Sequence, residues 1–274
     1  MNMVKTNKSS EKQLTAQQLY VKKHKRHHHL ITVLRILILI LFLGIWEGAG
    51  RAGMIDTFFF SSPQMVISCF LSMINDGSFF THTGITLLET LLSFVLITLL
   101  GLITATLLWY SKTLSEIIEP YLVVLNSLPK SALAPLFIVW LGTGINTIIV
   151  AGISVAIFGS IISLYTGFKQ VDSDKLKLIY TLGGNRFHAF TKVVLPSSVP
   201  VILSNMKVNI GLALVGVIIG EFLAARRGLG YLIIYGSQVF QLNMVITSII
   251  ILCVIAMGLY QLIQHLEHYY LKKI

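Results

Sequence analysis

Six long apolar runs constrain this chain more than any other feature of its sequence. They are Leu30–Trp46, Gly84–Tyr110, Tyr121–Leu141, Ile145–Phe168, Val199–Phe222 and Met244–Ile263. A helix needs about 20 mostly apolar residues to cross the hydrocarbon core of a bilayer. Only 12% of the 274 residues are charged, against the share of about 25% that is usual in soluble domains. The pattern excludes an ordinary soluble enzyme and predicts an all-α membrane protein with about six transmembrane helices.

Basic residues are concentrated at the chain ends and in one long loop. The formal net charge is +10, and the first 29 residues carry seven lysines and arginines against a single acid. The positive-inside rule places such a tail in the cytoplasm, where anionic lipid attracts it, so we interpret it as a membrane-surface segment and predict no nucleic-acid partner. Six spans then return the C-terminus to the cytoplasmic side of the membrane, which we expect to be a bacterial cell membrane. Arg226 and Arg227 are a local exception, because this topology places them outside.

The runs also divide the chain into segments. We predict a basic cytoplasmic tail (1–29), a first span with an extracytoplasmic loop (30–83), a core of five spans (84–264) that contains an inner loop (168–198), and a cytoplasmic C-terminus (265–274). In the outer loop, Ser62 and Pro63 are residues typical of a helix start, and apolar residues then recur at helical spacing. A short helix is therefore expected there.

The sequence lacks the motifs of most nucleotide-binding and catalytic sites. It contains no Gly-Lys pair, and hence no phosphate-binding loop, and it has neither H-E-x-x-H nor C-x-x-C. We predict no catalytic residue, no cofactor and no metal site, and interpret His27, His28 and His29 as a solvated patch. The acids nearest the runs are Glu89, Glu116, Glu119 and Glu221, all close to predicted span ends. Their positions argue against a paired-carboxylate site within the membrane.

The inner loop has the pattern of an ordered helical hairpin. Its first helix is predicted to start at the polar run Asp172–Asp174, whose side chains can bond free amides, and to end at Gly183, Gly184 and Asn185, which tolerate left-handed backbone angles. An apolar stripe runs along it: Leu176, Ile179, Tyr180 and Leu182.

A second short helix is predicted from Arg186 to Val194, with Phe187 and Phe190 on one side and Pro196 as its stop. On residue chemistry alone, two roles remain open for the hairpin. It can dock a cytoplasmic protein, or it can lie on the inner leaflet.

The hairpin resembles the cytoplasmic coupling loop of ABC importer permeases of the binding-protein-dependent class. Their pattern is E-A-A, three residues, Gly, nine residues, a β-branched residue, any residue and Leu-Pro. Here Gly183, Val193 and Leu195-Pro196 match it, whereas Lys177–Ile179 replace E-A-A. Two further stretches, Asn126–Gly144 and Gly220–Ile233, resemble segments of the nitrate, sulfonate and taurine branch of these permeases.

The resemblance covers about residues 84–263 and implies a type I ABC importer permease, a transport subunit rather than an enzyme. It implies a separate ABC ATPase that binds ATP and Mg, an extracytoplasmic solute-binding protein, and a second permease, by default an identical one related by C2 symmetry. Apolar hairpin residues would fill a cleft on the ATPase, and basic ones would pair with acids at its rim. The positions given this coupling role are Lys177, Ile179, Leu182, Gly183, Gly184, Asn185, Arg186, Phe187, Phe190, Leu195 and Pro196.

A stripe in the fifth span is the candidate for the substrate pathway. Asn205, Asn209, Gly216 and Gly220 share one helical face. The asparagines can line an aqueous path, whereas the G-x-x-x-G pair also suits close helix packing. In the third span, Lys130 can hold an anionic substrate or extend to the headgroups.

At the outer end of the fifth span, Glu221 with Arg226 and Arg227 is the candidate outer gate or docking site for a binding protein, or else a solvated ion-pair cluster.

The sequence leaves the cargo and the class of transporter open to test. Candidate cargoes are small polar or anionic solutes such as sulfonates, nitrate, taurine or vitamin precursors. The main alternative is an ATP-independent secondary carrier or channel, which would require inverted repeats and ionisable groups deep in the spans. A membrane enzyme would require clustered His, Asp or Glu near an interface.

Overall fold

A computed structural model of the chain describes residues 16–272. For residues 16–23, 25, 26, 28 and 271 it describes the backbone alone. All the regular secondary structure of the described residues is helical. Residues 1–15 of the predicted basic tail and the last two residues lie outside the described part. The chain forms two units that divide between Thr57 and Phe58. The first unit contains α1 (Ala16–Arg51), whose apolar part from His29 to Arg51 contains the predicted first span.

The second unit contains the remaining helices, after the short α2 (Thr57–Phe60) at the boundary. They are α3 (Pro63–Asn75), α4 (Ser78–Tyr110), α5 (Lys112–Ser127), α6 (Lys130–Leu141), α7 (Ile145–Lys169), α8 (Ser173–Thr181), α9 (Arg186–Ala189), α10 (Leu195–Ser197), α11 (Val199–Ala224), α12 (Leu229–Gln238) and α13 (Leu242–Leu271). Within residues 16–272, five helices are long and apolar enough to cross a bilayer, and α5 with α6 makes a sixth span if the broken pair is counted as one. The prediction of an all-α protein with about six spans is confirmed.

The third predicted span is broken rather than continuous. Its helix begins earlier than expected, at Lys112 after the cap Ser111, and ends at Ser127; α6 then departs at 98°. Leu128 and Pro129 are extended at the break. The proline ring disfavours helical angles at the preceding residue and removes a backbone donor, which explains the position of the bend. Pro135 lies inside α6.

The centre of the second unit is formed by α4, α7 and α11, which pack side by side. Small residues allow the close approach of α7 and α11. A Cβ on Gly216 would lie 2.8 Å from the Cα of Gly152 and 2.9 Å from the carbonyl oxygen of Ala151, and one on Gly220 would lie 2.9 Å from the Cα of Ile148. Of the two interpretations of the G-x-x-x-G pair, the structure therefore favours helix packing.

The predicted short helix of the outer loop is α3. Ser62 caps it by accepting the Met65 N–H at 3.3 Å, and Pro63 is its first residue. The helix packs on α13, where the Thr247 hydroxyl donates to the carbonyl oxygen of Val66 at 3.3 Å. This end of the unit also carries α12, so the helices α3 and α12 lie at the end of α4 and α11 opposite to the hairpin.

Candidate functional site: a helical hairpin and a polar cavity

The first limb of the hairpin, α8, ends in a turn that needs both of its glycines. The Gly184 N–H donates to the Ile179 carbonyl at 2.9 Å and the Gly183 N–H to the Tyr180 carbonyl at 3.0 Å, the two bonds of a Schellman motif. Gly183 has a φ of +80°, which L side chains rarely adopt. Gly184 is needed for space, because a Cβ there would lie 2.5 Å from Ile179 Cγ2 and 2.8 Å from its carbonyl oxygen.

The second limb is a continuous helical segment of mixed type. Asn185 caps α9 by accepting the His188 N–H at 3.0 Å, and the His188 ring faces the Asn185 N–H in return. A π-helical turn follows over Phe190–Val194, and α10 continues to Ser197. Pro196 therefore does not stop this helix, contrary to the sequence-based expectation. It lies in the first turn of α10, where a missing N–H is tolerated, directly after the wider π turn.

One side of the second limb is built into the core of the unit. The Phe190 ring packs against Trp109, Tyr110 and Phe168, with centroid distances of 5.3, 5.5 and 5.7 Å. Phe190 is only 7% exposed, so it is not available to fill a cleft on another protein as the sequence suggested. Its role in the structure is to fix the hairpin to the ends of α4 and α7.

Arg186 is also used within the chain. Its Nη1 donates to the Tyr110 carbonyl oxygen at 2.6 Å, which satisfies a free acceptor at the C-terminus of α4. Lys177 pairs with Asp174 at 2.8 Å on the surface. The predicted pairing of both basic residues with acids of a partner therefore competes with contacts inside this chain, to α4 for Arg186 and within α8 for Lys177.

The other side of the hairpin presents large apolar side chains to solvent. These are Leu178, Tyr180, Leu182 and Phe187, with Leu182 74% and Phe187 62% exposed. Ile179 is half-buried under the glycine turn. We call these four exposed side chains the hairpin face. Its anchored opposite side means that a force on the face would be transmitted to α4 and α7.

An open cavity of about 450 Å³, lined by both polar and apolar residues, lies between α7 and α11, in the halves of both helices nearer to the hairpin. Its polar lining is Ser160, Ser163, Ser204, Asn205 and Asn209. The Ser160 hydroxyl donates to Asn205 Oδ1 at 2.8 Å, and Asn209 Nδ2 donates to the Ser160 Oγ at 2.9 Å. The cavity thus offers hydroxyl and amide groups and no charged side chain, and it contains the two asparagines of the predicted pathway but not Gly216.

Lys130 lies at the bend between α5 and α6. Its ammonium donates to the carbonyl oxygen of Asn126, in the last turn of α5. A Cβ on Gly159, which lines the cavity, would lie 3.3 Å from Asn126 Oδ1. Lys130 therefore does not line the cavity; Asn126 lies between Lys130 and the lining residue Gly159.

The predicted cluster of Glu221 with the arginines does not form. Glu221 is 1% exposed and is bonded to Thr86 and to the start of α12, while Arg226 and Arg227 are exposed and make no ion pair within the described chain. The expectation that no carboxylate pair lies within the spans is also wrong, because Glu89 of α4 is hydrogen-bonded to Glu221. One feature of the sequence could have indicated that Glu89 is buried. Its neighbours at helical spacing are Thr86, Thr90 and Ser93, and these polar residues share the buried side of α4.

Apolar helices long enough to cross a bilayer, a cavity with hydroxyl and amide groups, and an anchored hairpin with an exposed apolar face are the features expected of a transport subunit that a separate motor protein moves. Residues 97–268 match the family described as "Binding-protein-dependent transport system inner membrane component". The chain belongs to this family.

The names of similar proteins agree with this assignment. A protein of Haemophilus influenzae named "Probable ABC transporter permease protein" is 31% identical over 233 residues, 85% of this chain and 94% of the relative. A protein of Bacillus subtilis named "Putative aliphatic sulfonates transport permease protein SsuC" is 28% identical, and the match covers 80% of each chain. The formylaminopyrimidine transport permease ThiX of Halalkalibacterium halodurans is 28% identical, covering 71% of this chain and 77% of ThiX.

The fold is that of solved ABC importers. An inward-facing structure of the MetNI methionine ABC transporter superposes with a TM-score of 0.60 at 17% identity, covering 67% of this chain and 92% of that chain. This protein is therefore a multi-pass membrane permease subunit of a binding-protein-dependent ABC importer. It works with a separate ATPase and a solute-binding protein and is not itself an enzyme.

Proposed function

We propose that two copies of this chain form a C2-symmetric pathway for a small polar or anionic solute of the sulfonate or vitamin-precursor type. Both termini and the hairpin face the cytoplasm, where a partner ATPase binds ATP and Mg and grips the hairpin. The lysines and arginines of the inner loop support this orientation. The cavity between α7 and α11 is the observation that supports the nature of the cargo.

The hairpin face is the proposed contact for the ATPase. Its exposed leucines and aromatic rings suit an apolar cleft, and desolvated aromatic side chains commonly dominate the binding energy of interfaces. Phe190 and Arg186 hold the opposite side on α4 and α7. Closure of the ATPase would then move the ends of two central helices.

Substitution of Phe187 and of Phe190, which are three residues apart, is expected to distinguish binding of the ATPase from folding of the permease. Phe187→Ala is expected to leave thermal stability within about 0.5 kcal/mol, as for surface positions, and to reduce the amount of ATPase that copurifies in mild detergent. Phe190→Ala is expected to destabilise the permease by about 3–5 kcal/mol, because it opens a cavity among Trp109, Tyr110 and Phe168. Equal loss of ATPase binding by two equally stable variants would contradict the assignment of the two sides.

The cavity lining suits a cargo that accepts and donates hydrogen bonds. Sulfonates and formylated pyrimidines, the solutes in the names of two relatives, both have several acceptor oxygens or nitrogens. The hydroxyls and amides of Ser160, Asn205 and Asn209 bond one another in the structure and can exchange these bonds for bonds to a solute. A cavity of about 450 Å³ has room for a small sulfonate or a formylated pyrimidine together with water.

Replacement of Asn205 by leucine is expected to raise the KM for uptake about tenfold, since a lost polar contact of about 1.4 kcal/mol corresponds to that factor. The assay is uptake of labelled sulfonates, taurine and pyrimidines into proteoliposomes that hold the permease with its ATPase and binding protein. Ser154→Ala is the matched control, because the Ser154 hydroxyl bonds within α7 at Ala151 and is not part of the cavity lining. Unchanged KM for Asn205→Leu, or uptake without any ATPase, would refute the proposal.

A further inference from the structure

The N-terminus of α12 is capped entirely by side chains from other helices. Its cap residue, Gly228, has no side chain, yet the amides that open the helix all have partners. The Gly228 N–H faces His82 Nδ1 at 3.0 Å, and the Leu229 N–H donates to the Thr86 hydroxyl at 2.9 Å. The next two amides, of Gly230 and Tyr231, donate to the Glu221 carboxylate. Free amides at a helix start need such acceptors when they are buried.

Glu221 is held tightly in this position. Its Oε2 accepts the Gly230 N–H at 2.5 Å, and its Oε1 accepts the Thr86 hydroxyl at 2.6 Å. The backbone closes around the carboxylate, since a Cβ on Gly230 would lie 2.8 Å from Glu221 Oε2 and a Cβ on Gly228 would also collide with the carboxylate. The Thr86 hydroxyl and the Gly230 and Tyr231 amides all donate hydrogen bonds to Glu221, which is the arrangement that an ionised carboxylate requires.

Glu89 has the opposite environment. It is 3% exposed, its carboxyl is hydrogen-bonded to that of Glu221, and its Oε2 has no donor among the described residues. Two carboxylates cannot both be ionised in contact within a dry site, because like charges repel strongly there. A hydrogen bond between them exists only if one proton remains, and the donors around Glu221 place that proton on Glu89.

The charged and titratable groups around the pair do not replace this proton. On α4 the nearest is His82, which is one turn before Thr86, contacts Gly228 and stacks on the Tyr231 ring of α12. Arg226 and Arg227 of the preceding loop are exposed, and the charge of Arg227 acts on His82. The part of α7 from Ile145 to Leu164 has no titratable side chain, and α6 has only Lys130, at its opposite end. Among the described residues, neither Glu89 nor Glu221 forms an ion pair with a lysine or arginine.

We propose that Glu89 is a neutral carboxylic acid that donates its proton to Glu221, and that this single shared proton positions the segment Ala225–Gln238 for transport. The pair joins α4 to α11 and, through the cap, to α12. The segment carries the exposed arginines at the end of the unit opposite to the hairpin. Removal of the proton leaves two carboxylates in contact, so Glu221 turns away from Glu89 and releases the start of α12. Glu89 and Glu221 are positioning residues in this inference, since neither lines the polar cavity.

Infrared spectroscopy of the purified permease tests the protonation state without any transport assay. The wild-type protein at neutral pH is expected to show the carbonyl stretch of a buried protonated carboxylic acid, and Glu89→Gln is expected to lack it. Thr90→Val is the matched control, because Thr90 is a fully buried neighbour on the same face of α4. A spectrum without a protonated acid, or with one that persists in Glu89→Gln, would overturn the inference even if the importer works as proposed.

Uptake measured against pH tests the positioning role. Raising the pH removes the Glu89 proton, so wild-type uptake is expected to fall at alkaline pH, whereas Glu89→Gln, a permanently neutral donor, is expected to keep its neutral-pH rate there. Glu221→Gln loses the anionic acceptor, and a loss of uptake of at least tenfold is expected, together with faster hydrogen exchange of the Gly230 and Tyr231 amides. Identical pH profiles for wild type and Glu89→Gln, or unchanged exchange in Glu221→Gln, would contradict the role.

Discussion

Replacement of Gly183 and Gly184 together by valine is expected to abolish uptake while the permease still inserts into the membrane. Each substitution breaks the turn for a different reason. Valine at position 183 must adopt a φ of +80°, which costs roughly 1–2 kcal/mol or more for a branched side chain. A Cβ at position 184 collides with the carbonyl oxygen of Ile179, so the second limb must move away from α8. The hairpin face would then lose its shape.

The single variants make this prediction more specific. Gly183→Asn is expected to retain most uptake, because asparagine tolerates the left-handed region at a helix C-terminus. Gly184→Ala is expected to lose most of its uptake even though alanine is smaller than asparagine, because a Cβ at position 184 already collides with Ile179. Gly84→Val is a control with open space around it. Uptake and ATPase copurification are measured for each, and normal uptake by the double valine variant would show that the hairpin does not act as a rigid lever.

Replacement of Gly216 by leucine is expected to separate α7 from α11 and to lower the thermal stability of the permease markedly. The leucine side chain would meet the backbone of Gly152 and Ala151, which cannot move aside as a flexible side chain can. Overpacking of this kind costs about 1–3 kcal/mol where side chains can adjust, and a clash with backbone is expected to reach the upper end of that range. The cavity between the same helices would widen, so uptake is also expected to fall.

Gly211→Leu is the matched control for this experiment, since Gly211 is in the same helix and has no heavy atom within 4 Å of its Cβ position. Thermal unfolding of both variants is measured in the same detergent. A melting temperature for Gly216→Leu equal to that of Gly211→Leu would mean that the two helices do not pack through this glycine.

Several features were accessible from the sequence because they depend on local chemistry. The cap at Ser62 and Pro63 and the glycine turn after α8 require only the residues within a few positions, and the structure has them as predicted. The apolar runs likewise predict spans through length and composition alone. The break at Pro129 could have been read from the same rule that places prolines at helix boundaries, yet the continuous apolar pattern concealed it.

The sequence could not show which side of a local element faces its own protein. Phe187 and Phe190 are chemically identical and three residues apart, and only the packing of α4 and α7 decides that one is exposed and the other buried. Glu89 and Glu221 are 132 positions apart in the chain (221 − 89), and the sequence places each of them near the end of a different predicted span. Their contact exists because α4 and α11 lie side by side.

The sequence by itself determined that this chain is a helical membrane protein with an ordered hairpin between two spans, since hydrophobic length, helix caps and glycine turns depend on neighbouring residues in the chain. Its resemblance to ABC importer permeases added the expectation of a transport role. The tertiary structure alone decided which polar groups meet. It placed Ser160 with Asn205 and Asn209 in a cavity, tied Arg186 to the end of α4, and joined the two buried acids. Such contacts depend on the relative position of helices that are distant in the chain, and in a medium without water each polar group must find a partner among those that packing brings near.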